Sequence, residues 1–195
     1  MLARIARHIS DHGGWIPFVE YMHLALHAPG GYYTGGAQKF GPEGDFVTAP
    51  ELGSLFARTL ARQLKDLSLP ILEFGAGSGA LAEALLREEP FDYTILEPSA
   101  ELRERQRTRL GGKVKFIDTL PDAIHGVVLA NEVLDAMPVH AVAWREAGIM
   151  ERGVNERLEW EERPANGEIL DEMRKIDVPT PYESEIGPAR PISLS

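Results

Sequence analysis

Apolar positions recur along this chain at two periods, and the changes of period mark its elements. In residues 2 to 9, Leu2, Ile5 and Ile9 fall on one face of a short helix, which Gly13-Gly14 ends. Pro17 suits a helix start, and Phe18, Tyr21, Met22, Ala25 and Leu26 follow at helical spacing as far as Pro29-Gly30-Gly31. From Pro29 to Pro50 no period holds. Its glycines and aromatics predict a functional loop, since aromatics are scarce in disordered segments. Thr48-Ala49-Pro50-Glu51 then carries the T-x-x-E of a capping box, and Leu52, Leu55, Phe56, Leu60, Leu64 and Leu67 trace the apolar side of one helix.

Short apolar runs take over after residue 70. Ile71-Leu72, Tyr93-Thr94-Ile95-Leu96, Val114-Lys115-Phe116-Ile117 and Val127-Val128-Leu129-Ala130 are predicted strands, with helical patterns at 80 to 86 and 100 to 110 between them. Ser99 is placed to cap the second helix. Strand and helix in alternation predict a parallel sheet, and the uncharged fourth run predicts a central strand. Residues 139 to 163 change character: 139 to 144, 148 to 152 and 158 to 161 read as short antiparallel strands joined by turns. The expected organisation is a helical extension with its Gly/aromatic loop (1–69), a Rossmann-like half (70–138), an antiparallel insertion that is a possible substrate region (139–180) and a tail (181–195). The fold class is α/β, Rossmann-like.

Candidate chemistry centres on Ile71-Leu72-Glu73-Phe74-Gly75-Ala76-Gly77-Ser78-Gly79, a strand that ends in an acid and opens into three alternating glycines. Glycine lets a backbone reverse sharply and approach a ligand closely, which suits NAD, FAD or S-adenosylmethionine equally. Glu97 lies 22 residues after Gly75 at the end of the next strand, where a carboxylate accepts hydrogen bonds from a ribose diol. Glu73 discriminates further. Its negative charge beside the turn would repel a pyrophosphate and hold a ligand that carries an ammonium and a sulfonium. Asp118 ends the third strand, and Asn131 and Glu132 end the fourth.

Composition narrows the classes. A net charge of −10 argues against nonspecific nucleic-acid binding and favours a cationic partner. The absence of cysteine excludes disulfides, thiol catalysis and cysteine-ligated zinc. No run approaches a membrane span, and the N-terminus lacks the pattern of a signal peptide, so a cytoplasmic location is expected. His8 with His12, and His23 with His27, sit four apart, as metal ligands on one helix face do, but no third ligand is evident, and no metal is expected. Arg103, Arg105, Arg107 and Arg109 alternate, which scatters them around a helix as a solvated, acid-paired surface.

Gly31-Tyr32-Tyr33, Gly44-Asp45-Phe46-Val47-Thr48-Ala49-Pro50-Glu51, the glycine turn, Glu97-Pro98-Ser99 and Asn131-Glu132-Val133-Leu134-Asp135-Ala136-Met137-Pro138 occur in order. With these the chain resembles the MidA family of S-adenosylmethionine-dependent methyltransferases, whose mitochondrial members assist respiratory complex I assembly by dimethylating a protein arginine. The resemblance implies a class I methyltransferase fold and a protein substrate with an exposed arginine. Relatives continue into further strands beyond residue 190, so four parallel strands, an incomplete sheet truncated at the C-terminus, are expected. In this reading Glu73, Gly75, Gly77, Gly79, Glu97, Asp118 and Asn131 hold the cofactor. Glu132, Asp135 and Asp45 fix the acceptor guanidinium and draw off its proton, with Glu51 a further candidate. Two rivals remain open: an NAD-linked oxidoreductase, and a noncatalytic assembly module.

Overall fold

The computed structural model describes residues 1–34 and 49–187. Helix α1 (Leu2–Asp11) leads through left-handed Gly13 and Gly14 into strand β1 (Trp15–Pro17), helix α2 (Phe18–Met22) and a π-helical turn (His23–His27). Helices α3 (Ala49–Leu52) and α4 (Ser54–Leu67) precede β2 (Ile71–Phe74), α5 (Ala80–Glu88), β3 (Tyr93–Leu96) and α6 (Ala100–Leu110). Then come β4 (Lys115–Ile117), β5 (Val127–Leu129) and a 3-10 turn at Leu134–Ala136. The chain closes with β6 (His140–Arg145), β7 (Gly148–Asn155), β8 (Trp160–Pro164), α7 (Gly167–Met173) and β9 (Tyr182–Ile186). Among the described residues no helix is long and apolar enough to cross a membrane.

Two compact units form. Among the described residues, 49–134 make one, and 1–34 with 135–187 make the other. This groups the chain differently from boundaries at 69 and 138. The reason is β1, which the helical reading of residue 17 onward passed over: Trp15, Ile16 and Pro17 pair antiparallel with Asn155, Val154 and Gly153 and so join the N-terminal helices to the later strands.

The 49–134 unit is built on a four-stranded parallel sheet in the order β4-β3-β2-β5. Ile71 and Ile95 lie in its core with the Tyr93 ring, against Ala57, Ala61 and Leu64 of α4 and Leu81, Ala82 and Leu85 of α5. The predicted apolar face of α4 is corrected here. Extended backbone at Gly53 (φ 157°, ψ 177°) splits the expected single helix in two, and the small residues Ala57 and Ala61 face the core while Leu52, Leu55 and Leu67 are exposed. The prediction that the uncharged fourth run is central also fails. β5 pairs only with β2 among the described strands, and Val128 is 42% exposed on that edge.

The second unit carries an antiparallel sheet of β1, β6, β7, β8 and β9. Residues 150–154 of β7 pair with β8, while β6 pairs along 148–152 and β1 along 153–155, so β6 and β1 share one edge of β7 end to end. Gly153 permits that junction: a Cβ there would lie 2.1 Å from the Ile16 carbonyl oxygen and 2.5 Å from the Trp15 ring. Ile5, Ile9, Ile16, Leu24 and Val154 form one core, and Val142, Trp144 and Met173 another. Helix α7 and strand β9 were not evident in the sequence. The tail expected from residue 181 begins with β9, which pairs with β6 from His140↔Ile186 to Trp144↔Tyr182.

Candidate functional site

In the parallel sheet β3 and β4 lie to one side of β2 and β5 to the other. The order reverses at β2, and open α/β sheets bind ligands at the carboxyl ends of strands beside such a switch. Glu73, in register with Ile95 and Leu129, is the third residue of β2, and Glu97 directly follows β3. Asp118 directly follows β4, and Asn131 and Glu132 turn away just past β5. The structure thus brings the sequence candidates of this unit to one edge.

The turn after β2 is left-handed at each glycine, with φ of 56° at Gly75, 54° at Gly77 and 77° at Gly79. An L side chain is strained in that region, so each position calls for glycine. Space matters as well. A Cβ at Gly75 would press on Val133 at 3.3 Å, and one at Gly79 would sit against Leu110, Gln106 and Arg109 at 3.4–3.7 Å.

Glu73 is 2% exposed, and its Oε2 accepts a hydrogen bond from the Tyr93 hydroxyl at 2.9 Å. Burial pushes its carboxyl up to about 7, the Tyr93 hydrogen bond opposes that rise, and the nearby Glu97 charge adds to it. Burial likewise keeps the Tyr93 hydroxyl protonated. Glu73 is therefore beside the bend and turned into the protein, not into bulk water.

Glu97 is 3% exposed. Its Oε1 accepts from the Ser99 backbone N–H at 3.0 Å and its Oε2 from Gln106 Nε2 at 3.0 Å. Burial raises its pKa, and those two hydrogen bonds with the Arg103 charge act against the rise. The Ser99 hydroxyl also caps α6, as expected, accepting from the Leu102 N–H.

Helix α6 contributes groups that sequence reasoning missed. Arg105 and Arg107 pair with Glu101 and Glu104 on the surface, as predicted. Arg103 and Arg109 also pair with acids, but with ones outside α6, and they bond backbone carbonyls besides. Arg103 donates to the Glu97 carbonyl through Nε and Nη2, at 3.2 and 2.7 Å, and its Nη1 pairs with the otherwise exposed Asp118. Arg109 joins Glu83 at 2.7 Å and donates to the Ser78 carbonyl and hydroxyl. Between them Gln106, fully buried, donates to the Gly77 carbonyl and to Glu97. The signal was present in the i, i+3, i+6 spacing of 103, 106 and 109, one helix face.

Glu132 is exposed with a left-handed backbone (φ 54°), and Asn131 is half-buried. Asp135 belongs to the second unit, where it lies exposed in the 3-10 turn; burial raises the Tyr33 pKa and the Asp135 charge adds to that. Asp45 and Thr48 lie outside the described residues, as does the side chain of Glu51. Of the histidine pairs, His8 gains a neighbour in Glu20, which accepts from its Nε2 at 2.5 Å, and the ligand atoms of His8, His12 and Glu20 lie within 4.8 Å of one another. That hydrogen bond between α1 and α2, together with the bond of His12 Nδ1 to the His8 carbonyl, accounts for the cluster. His27 bonds the Ala136 carbonyl at 2.8 Å.

A parallel sheet with a glycine turn at its switch point and an acid after the neighbouring strand defines a Rossmann-like protein built to receive a nucleoside cofactor. Residues 53–191 match the family described as "Putative S-adenosyl-L-methionine-dependent methyltransferase", and the chain belongs to that family, the MidA methyltransferases its motifs resemble. Relatives named protein arginine methyltransferase NDUFAF7 homolog, mitochondrial, are similar to it in Drosophila melanogaster (29% identical over 167 residues, 65% of this chain and 38% of that protein) and in Caenorhabditis elegans (30% over 169 residues, 65% and 39%). A crystal structure from Burkholderia thailandensis, bound to S-adenosyl-homocysteine, is 44% identical with a TM-score of 0.78, covering 96% of this chain and 56% of that one. The chain thus spans roughly two fifths of the length of those curated relatives.

Proposed function

We propose that this chain holds S-adenosylmethionine at the carboxyl ends of β2 and β3, and that the protein methylates a guanidinium nitrogen of a protein arginine. The observation that carries the reading is a cradle of three left-handed glycines set between two buried carboxylates, Glu73 and Glu97. Such a cradle fits this cofactor. Bare backbone admits its methionine part, Glu73 suits an ammonium, Glu97 suits a ribose diol, and a diphosphate would meet negative charge. When bound, S-adenosylmethionine supplies a methyl carbon activated by a sulfonium.

The chain's own groups supply alignment and proton handling, which is most of what such a transfer asks of a protein. Glu73 would orient the ammonium and Glu97 the ribose, while Asp118, held by Arg103, would accept from the adenine amino group and Asn131 would border the cofactor. A guanidinium with a pKa above about 12 is a poor nucleophile, so a carboxylate that fixes its plane and accepts its proton raises its reactivity. Glu132 is assigned that role, with Asp135 and Asp45 as further candidates. The arginine acceptor is supported by the relatives, which are named protein arginine methyltransferases, and by a net charge of −10, which favours a cationic partner.

Calorimetric titration of the chain with S-adenosylhomocysteine tests the cofactor reading, with Gly77→Leu beside the wild type. Binding by the wild type and its loss in a folded Gly77→Leu variant are expected. Equal affinities would remove the turn from the site. Mass-spectrometric detection of methyl transfer to an arginine peptide, and not to its lysine counterpart, tests the acceptor.

A further inference from the structure

Among the described residues Gln106 is the one uncharged polar side chain that is fully buried in the core at 0% exposure, and it sits where α6 crosses the glycine turn. Both groups that face its amide are acceptors, the Gly77 carbonyl at 2.9 Å and Glu97 Oε2 at 3.0 Å. The nitrogen must therefore point at them, for the reverse orientation would set three oxygens against one another. One NH2 group thus ties the backbone of the bend to the carboxylate after β3. The amide oxygen is left without a partner among the described residues, an arrangement that folds seldom retain without a use for it.

The consequence falls on Glu97. Oε1 receives the Ser99 N–H and Oε2 receives Gln106, so the carboxylate plane is fixed at two points. A carboxylate oxygen accepts two hydrogen bonds, which leaves each oxygen one open acceptor site. Two open acceptors on one fixed plane match two adjacent hydroxyls.

We infer that Gln106 is a positioning residue that locks Glu97 to the glycine turn, so that a ribose diol is read by both carboxylate oxygens at a set distance from the bend. The inference rests on the cofactor reading above and extends it to a residue of α6. A leucine would fill most of the same space, yet it would leave Glu97 held at Oε1 alone and the Gly77 carbonyl without its amide partner.

The test compares S-adenosylhomocysteine with its 2′-deoxyadenosyl counterpart by calorimetry, on wild-type chain and on Gln106→Leu. Removing a hydroxyl that bonds a held carboxylate should weaken wild-type binding roughly 10- to 100-fold. In Gln106→Leu that ratio should collapse to about threefold or less, because the carboxylate no longer meets the hydroxyl in a set orientation. Equal weakening of both ligands by the substitution would mean a merely structural role and would overturn the inference. So would an unchanged ratio.

Should Gln106→Leu not fold, the side-chain amide resonances of Gln106 in the wild type give the answer. Both protons should exchange slowly in the free chain, and S-adenosylhomocysteine should shift them where the deoxy ligand shifts them less. Fast exchange, or equal shifts, would overturn the inference. Failure of the wild type to bind S-adenosylhomocysteine at all would instead bring down the cofactor reading, and the inference with it.

Discussion

At Glu73 a carboxylate is held where its charge is costly, and the cost is readable in solution. Its carboxyl is raised to about 7 from an ordinary 4.5, chiefly by burial. The folded chain therefore keeps a proton that the unfolded chain has released, and this contribution to stability, complete below pH 4.5, is lost as the pH rises through 7. The loss integrates to about 3 kcal/mol at most. Glu73→Gln cannot ionise, so its melting temperature should gain on the wild type across that window and exceed it at pH 8. Parallel melting curves would mean that the carboxyl is not so raised. Tyr93→Phe should move the wild-type window upward, since the tyrosine hydrogen bond works against burial. Glu132 bears a different strain: its φ of 54° is a region where an L side chain costs roughly 1 kcal/mol or more. Glu132→Gly should melt no lower than the wild type while transferring methyl groups more slowly. Undiminished transfer would strip Glu132 of its assigned role.

Elements here are aligned by a few contacts at their crossings. Helix α6 has almost no apolar face of its own beyond Leu110, and what docks it is the row Arg103, Gln106 and Arg109, which bonds the Glu97, Gly77 and Ser78 carbonyls. A helix that reads as surface by hydropathy is thus seated by its polar side. Strand β1 depends instead on what β7 lacks. With the Ile16 carbonyl oxygen 2.1 Å from a Cβ at Gly153, the backbone of one strand must move if any side chain is added. Gly153→Ala should lower unfolding free energy by roughly 1–3 kcal/mol, the usual cost of overpacking, seen as an earlier urea midpoint. An unmoved midpoint would mean that β1 is not packed there as closely as its register with β7 requires.

For the whole molecule, a ligand that binds only the folded state raises its stability by mass action. S-adenosylhomocysteine at a hundred times its dissociation constant should add about 2.7 kcal/mol. For a chain of 195 residues that is a rise of roughly 5–10 °C in melting temperature. NADH at the same concentration should add nothing, because its diphosphate meets the Glu73 carboxylate beside the glycine turn. A rise with NADH alone would reverse the assignment of the cofactor.

The strands of the parallel sheet, the glycine turn and the acids that follow its strands were legible in the sequence, because a buried strand favours apolar residues and a left-handed bend favours glycine. Local chemistry of that kind leaves a local mark. What only the tertiary structure decided is which surfaces meet. The core side of α4 went to Ala57, Ala61 and Leu64 and not to Leu55 and Leu67, since a close helix crossing rewards small residues more than large ones. β1 and β9 were decided by partners more than a hundred and about forty residues away, respectively, which no local period records. Gln106 reads as one more polar residue in a charged helix; its place between Gly77 and Glu97 exists only after three separate segments have folded together.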